Sequence, residues 1–214
     1  MAAKAEPMQH MDNVAASAMG GFNIVSRMPM NEQTEITTIR PPNDLGIAVV
    51  VPSVKKTSTG ATREFLPLTV SREHYVKSMS YASRLSAAFA YKDLDALLGT
   101  LPWDDVVEPA RAAAGVYGKG VNPDFLLDEK KLLLEKFHVA ETISGAGPAR
   151  ALWYDISEDL KKRREGGAGL IKPAIALVTK RLEKLGYSVR ETIVTTPSSK
   201  GATVARPNRR FNSR

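Results

Sequence analysis

Cysteine is absent from the chain, which excludes disulfides, thiolate nucleophiles and cysteine-ligated zinc and fits a cytoplasmic setting. Also missing is any run of about 18 apolar residues, the length a membrane-spanning helix needs. The first residues carry no basic stretch followed by an apolar one, so a signal peptide is not expected. Histidine is scarce, with three in the chain. No HxxxH or carboxylate cluster marks a metal site, and none is assigned. His74 and His138 stand isolated at exposed-looking helix positions, and no internal repeat occurs.

What is present is an ordinary globular composition. The 214 residues are 43% hydrophobic and 25% charged, enough for one large domain or two small ones with a proper core. The net charge of +7 raises the question of nucleic acid. Its distribution argues against that partner. Positive charges gather at Lys161-Lys162-Arg163-Arg164, which reads as a solvated helix end, and in a polar tail holding Arg206, Arg209, Arg210 and Arg214. Neither region interleaves aromatics as a base-stacking surface would.

Along the chain, Asp12 or Asn13 suits the N-cap of a short apolar helix from Val14 to Met19, which Gly20-Gly21 ends before a strand at Phe22–Val25. Glu35–Arg40 alternates as a strand, and the continuous run Gly46–Pro52 predicts a strand buried on both faces. Helices are then expected over 58–65, 71–91, 92–98, 103–114 and 125–138. In the second, Tyr75, Met79, Ala82 and Phe89 recur at helical steps. Val139–Ile143 and Ala151–Ile156 read as partner strands, followed by a helix with the apolar stripe Ile171, Ala174/Ile175, Val178, Leu182 and Leu185, and by a last strand from Tyr187 to Val194. Helices segregate from strands, which predicts an α+β sandwich rather than a doubly wound sheet.

Four features are weighed for candidate chemistry. His10, Asp12 and Asn13 crowd at a helix start, where a polar or anionic ligand is well held; the competing reading is a capped buried helix. Ser144-Gly145-Ala146-Gly147-Pro148 joins two strands, and its glycines either admit an anion to the backbone N–H groups or serve the turn alone. Gly166-Gly167-Ala168-Gly169 is a second glycine-rich stretch, but without the Lys-Ser/Thr of a phosphate loop it reads as a linker. Arg63 and Arg111 stand among small or apolar neighbours, each with a planar fork suited to carboxylate or phosphate. The alternative for Arg111 is a surface ion pair with Glu108 at helical spacing.

Taken together, these segments resemble the homoserine kinases of the GHMP kinase superfamily. His10-Met11-Asp12-Asn13-Val14-Ala15 with Gly20-Gly21-Phe22 is similar to their "H-x-D-N-V-A … G-G-F". Ser58-Thr59-Gly60-Ala61-Thr62-Arg63 before Leu66-Pro67 is similar to "S-T-x-x-A-R-x-x-L-P", with Thr62 where Ala is usual. Glu108-Pro109-Ala110-Arg111 matches "E-P-x-R", Ser144–Pro148 resembles the third GHMP motif, and Thr195-Thr196-Pro197 with Gly201-Ala202 resembles the terminal "T-x-P … G-A".

The resemblance implies ATP and L-homoserine as substrates, Mg²⁺ as cofactor, O-phospho-L-homoserine as product and a place in threonine biosynthesis. It implies Asn13 as the catalytic residue at the acceptor hydroxyl, with His10, Asp12, Arg63 and Arg111 binding substrate. Ser144, Gly145, Ala146 and Gly147 would brace the nucleotide loop. It implies residues 1–44 as a remnant of the family's N-terminal domain, 45–205 as its ferredoxin-like C-terminal domain of antiparallel sheet and helices, and 206–214 as a basic disordered tail. The family's ATP loop, "P-x-G-x-G-S-S", precedes the H-x-D-N stretch, and nothing like it stands before His10. The expectation is therefore a chain with little activity alone, needing an N-terminal half or a homodimer partner. The alternatives are a non-catalytic domain that binds an amino acid or a partner subunit, and a GHMP kinase for another small acceptor.

Overall fold

The computed structural model describes residues 11–27, 33–54 and 59–203. Two compact units emerge, one of residues 1–40 with 198–214 and one of residues 41–197.

In the first unit, α1 (Asp12–Met19) runs into β1 (Phe22–Arg27), which pairs antiparallel with β2 (Thr34–Ile39) from Phe22↔Ile39 to Arg27↔Thr34. The helix starts earlier than its apolar pattern suggests. Met11 takes the N-cap position without a side-chain cap bond, so Asp12 and Asn13 lie in the first turn and neither is the cap. Gly20, at φ 68°, ends α1, and its missing side chain admits the Lys200 backbone. Segment 198–202 is laced on from there: Gly21 N–H donates to Ser198 O at 2.7 Å and Ala202 N–H to Ser17 O at 2.9 Å.

The second unit is built on a four-stranded antiparallel sheet in the order β4-β5-β3-β6, from β3 (Leu45–Pro52), β4 (Ala140–Ile143), β5 (Arg150–Asp155) and β6 (Val189–Thr195). Helices fall between the first two of these strands and between the last two. That is a β-α-β-β-α-β arrangement of ferredoxin-like type, within an α+β fold. The first helical block holds α2 (Thr59–Arg63), α3 (Arg72–Tyr91), α4 (Leu94–Thr100), α5 (Val107–Ala113) and α6 (Pro123–Phe137); α7 (Ile156–Arg164) and α8 (Ile171–Lys184) form the second.

The core packs α6 and α8 on the sheet. Ile171, Ala174, Val178 and Leu182 of α8, spaced as the apolar stripe requires, meet Ala48, Val50, Leu152 and Tyr154 of the strands and Leu133 of α6. Ala48 and Val50 are fully buried, whereas Ile47, Val49 and Val51 on the opposite face of β3 are half-buried. The continuous apolar run therefore marks a central strand covered completely on one face only. In α3 the helical apolar set divides: Phe89 is buried, but Tyr75, Met79 and Ala82 are exposed.

Helix starts follow side-chain caps. Ser71 accepts from His74 N–H, Asp93 from Ala96 N–H and Asn122 from Phe125 N–H. Lys92, at φ 56°, ends α3, so α4 begins two residues later than its apolar pattern suggests. Asp104 receives Val106 and Val107 N–H at 2.8 Å and Glu108 N–H at 3.1 Å. This fixes the start of α5 at Val107 and leaves Trp103–Val106 outside the expected helix. The basic run Lys161–Arg164 occupies the exposed last turn of α7, where it complements the helix dipole.

Candidate active site

Of the residues singled out in the sequence, His10 lies outside the described residues. Asp12 and Asn13 belong to the first unit, in α1. Arg63, Arg111 and Ser144–Gly147 belong to the second. Arg63 is the last residue of α2, half-buried, and its carbonyl accepts Leu66 N–H at 3.1 Å.

The turn between β4 and β5 is closed by two backbone bonds. Ser144 N–H donates to Ala149 O at 2.8 Å and Gly147 N–H to Ser144 O at 3.0 Å. Gly145 and Gly147 have φ of 60° and 82°, the left-handed region that favours glycine. Gly145 is exposed, while Gly147 and Pro148 are buried. A Cβ on Gly147 would come within 2.6 Å of the Tyr117 ring. The turn thus rests on Tyr117, a fully buried residue in the loop after α5.

Helix α5 reaches the same place. Glu108 accepts Ile143 N–H at 2.9 Å, directly before the turn, and its other oxygen pairs with the buried Lys130 ammonium, which also donates to Pro102 O at 2.7 Å. The carboxylate is therefore committed to Lys130 and the sheet, and the expected surface pairing of Glu108 with Arg111 is not what holds it. The Nε of Arg111, one helical turn on, is buried without a hydrogen-bond partner among the described residues, as is the Tyr117 hydroxyl. Burial pushes the Tyr117 phenol up to about 12, with Glu108 adding to the rise and the neighbouring Arg111 guanidinium opposing it.

Beneath the turn lies a charged cluster that local sequence did not reveal. Arg150, fully buried, donates from Nη1 to Pro148 O at 3.0 Å and places its guanidinium 5.8 Å from the Tyr117 ring centre. Its Nε stands 3.1 Å from Glu141 and 3.5 Å from Glu129, both also fully buried. Glu129 is shared with Arg181 of α8 at 3.0 Å, and Arg181 stacks on Phe125, 4.4 Å from the ring centre. Neither Glu141 oxygen closes an aligned hydrogen bond. Burial, then the Glu129 charge, hold the Glu141 carboxyl well above the usual range against the pull of Arg150.

The second glycine-rich stretch is a linker with its own anion. Asp159 of α7 accepts Leu170 and Ile171 N–H, the latter at 3.0 Å, and pairs with Arg163 at 2.8 Å. A carboxylate already occupies the place a phosphate would take at the start of α8. His138 holds a left-handed C-cap on α6 and stands 3.3 Å from Asp95. Among the described residues no three histidines and carboxylates gather as a metal site, and no helix is long and apolar enough to cross a membrane.

Sequence reasoning missed Tyr117 and Arg150. For Tyr117 a signal exists: an aromatic set among Gly115, Gly118 and Gly120, shortly after the E-P-x-R segment. For Arg150 there is none nearby, because its partners come from residues 129 and 141.

No family model matches the chain. A homoserine kinase of Pyrobaculum islandicum is 35% identical over 143 residues, 65% of this chain and 43% of that protein. One of Thermoplasma acidophilum is 28% identical over 158 residues, 73% of this chain and 47% of that protein. The chain thus spans less than half the length of these relatives. Among solved structures, the homoserine kinase of Cytophaga hutchinsonii shares the fold, with a TM-score of 0.67 at 23% identity over 90% of this chain and 53% of that one. On sequence and fold together, the chain is related to the homoserine kinases of the GHMP kinase group through the portion that it spans.

Proposed function

We propose that this chain forms the acceptor side of a homoserine kinase-type phosphotransferase. The reaction breaks the bond between the β–γ bridging oxygen and the γ-phosphorus of ATP and forms one from phosphorus to the L-homoserine hydroxyl oxygen. It gives ADP and O-phospho-L-homoserine, a step toward threonine. By the resemblance, Arg63 and Arg111 are assigned to the amino-acid carboxylate, Asn13 to the acceptor hydroxyl, and His10 and Asp12 to substrate binding. An amide at position 13 is no general base, so the hydroxyl proton leaves with the transferred phosphoryl group. The turn at Ser144, Gly145, Ala146 and Gly147 braces the phosphates with its backbone. Such catalysis works by positioning and electrostatics.

The observation that carries this reading is Arg111. Its Nε is buried without a hydrogen-bond partner among the described residues, next to Tyr117, on which the glycine turn rests, while Glu108 is committed elsewhere. A guanidinium so placed offers its fork to an incoming carboxylate. Mg²⁺ accompanies ATP in such reactions, but the described residues offer no set of three ligating side chains, and no step is drawn through the metal. Within this reading residues 1–44 correspond to part of the family's N-terminal domain and 45–205 to its C-terminal domain, in the cytoplasm. A second reading, a non-catalytic domain that binds an amino acid, rests on the same Arg111.

The test is a calorimetric panel on the purified chain with L-homoserine, mevalonate and 3-aminopropan-1-ol, which is homoserine without its carboxylate. Binding of homoserine alone, lost in Arg111→Ala, is the expected result. Preference for mevalonate, or equal binding of 3-aminopropan-1-ol, contradicts the assignment. Homoserine-dependent ADP release by the 214-residue polypeptide is expected to be negligible, and measurable turnover would overturn that part of the reading.

A further inference from the structure

Tyr117 is fully buried, and its hydroxyl closes no aligned hydrogen bond among the described residues, although the Arg111 guanidinium is near enough to bond it. An orphaned buried hydroxyl carries a desolvation cost that phenylalanine would avoid. Packing explains the ring, which supports Gly147 on one side and receives Arg150 on the other. It does not explain the oxygen. The group beside that oxygen is Arg111, whose Nε is likewise buried and unpartnered, and the backbone ties the two segments together, with Val116 N–H donating to Arg111 O at 3.0 Å. Two orphaned donors, one of them cationic, thus lie side by side next to a turn that rests on the same ring.

We propose that Tyr117 is a positioning residue: its ring sets the Ser144–Gly147 turn and its hydroxyl orients the Arg111 guanidinium, so that carboxylate arm and phosphate turn move as one body. The proposal rests on the acceptor reading above for what Arg111 binds. Hydrogen bonds of this kind are commonly long before a ligand arrives and tighten in the complex. A carboxylate drawing the Arg111 fork outward leaves its inner edge against the phenol oxygen, which can accept from it. Loss of that oxygen frees the guanidinium to take other rotamers while the turn keeps its support.

The experiment compares the wild-type chain with Tyr117→Phe and Tyr117→Leu by ¹H–¹⁵N NMR, following the Arg111 Nε–H signal and the Gly145 and Ala146 amides, with urea unfolding alongside. In the free protein, Tyr117→Phe is expected to unfold at the wild-type urea midpoint or above it. It should move the Arg111 Nε–H signal and speed its solvent exchange, and leave the turn amides in place. Tyr117→Leu should move all three. With L-homoserine, Tyr117→Phe should weaken binding about tenfold, as loss of one hydrogen bond to a charged group does, with inorganic phosphate binding unchanged. An unmoved Arg111 signal in Tyr117→Phe, or undiminished homoserine affinity, overturns the proposal and leaves Tyr117 as packing. If the wild-type chain itself does not bind homoserine, the acceptor reading has failed, and the Arg111 signal of the free proteins still decides the role of Tyr117.

Discussion

Replacing Arg150 by methionine should cost the second unit a large share of its stability. The side chain is fully buried, with Glu141 at 3.1 Å, Glu129 at 3.5 Å and the Pro148 carbonyl at 3.0 Å. Methionine matches its length but leaves Glu129 with Arg181 alone and Glu141 beside a bare carboxylate. Removing one partner of a buried ion pair costs about 3–5 kcal/mol. At a urea dependence of about 2 kcal/mol per molar, the midpoint should fall by about 1.5–2.5 M. Trp103 and Trp153 both lie in this unit and report its unfolding by fluorescence. Glu141→Gln is the counterpart. Burial and the neighbouring Glu129 charge favour the protonated form of Glu141, so its isosteric amide should cost far less stability than Arg150→Met at neutral pH. A small loss in Arg150→Met, or an equal loss in both variants, would refute the charge assignment beneath the turn.

Other consequences follow from the same geometry. The folded-state value of Glu141 lies above its ordinary 4.5, so between the two the native state holds more protons than the unfolded one. Its stabilising contribution is full below pH 4.5 and is lost as pH rises through the folded value, and Glu141→Gln should flatten that slope in pH-dependent urea titrations. Tyr117 repeats the pattern at the alkaline end: its contribution should be lost from pH 10 to about 12, and Tyr117→Phe should lessen the fall, leaving the part due to Tyr154, whose phenol burial also raises. Gly147→Ala combines a φ of 82° with a Cβ 2.6 Å from the Tyr117 ring, and should destabilise by at least about 1–3 kcal/mol in thermal unfolding. Asp159→Ala strips two amides at the start of α8 of their acceptor and should cost about 2–3 kcal/mol, read from the urea midpoint.

What the sequence could and could not reveal follows the range of the interactions. The stripe on α8 was legible because a helix buried on one side writes its period into nearby residues. The hairpin through Ser144–Pro148 was legible because two apolar strands flank glycines at turn positions. The start of α5 was not, because Asp104 caps from outside the helix and residues 103–106 carry a helix-compatible composition. Helical spacing suggested Glu108 as the partner of Arg111, but the carboxylate is taken by Lys130, 22 residues along. Arg150 reads locally as a polar residue opening a strand. Only the meeting of β5 with α6 and β4 surrounds it with carboxylates, and no local pattern encodes that.

The central claim, that this chain carries the acceptor site of a homoserine kinase with Arg111 as a carboxylate ligand, is tested most directly by titrating it into L-homoserine labelled with ¹³C at the carboxyl carbon. A saturable shift of the carboxylate resonance is expected, one that disappears in Arg111→Ala while the folded spectrum of the variant is retained. A carboxylate resonance that stays at its free position at saturating protein, or that shifts equally with Arg111→Ala, would contradict it.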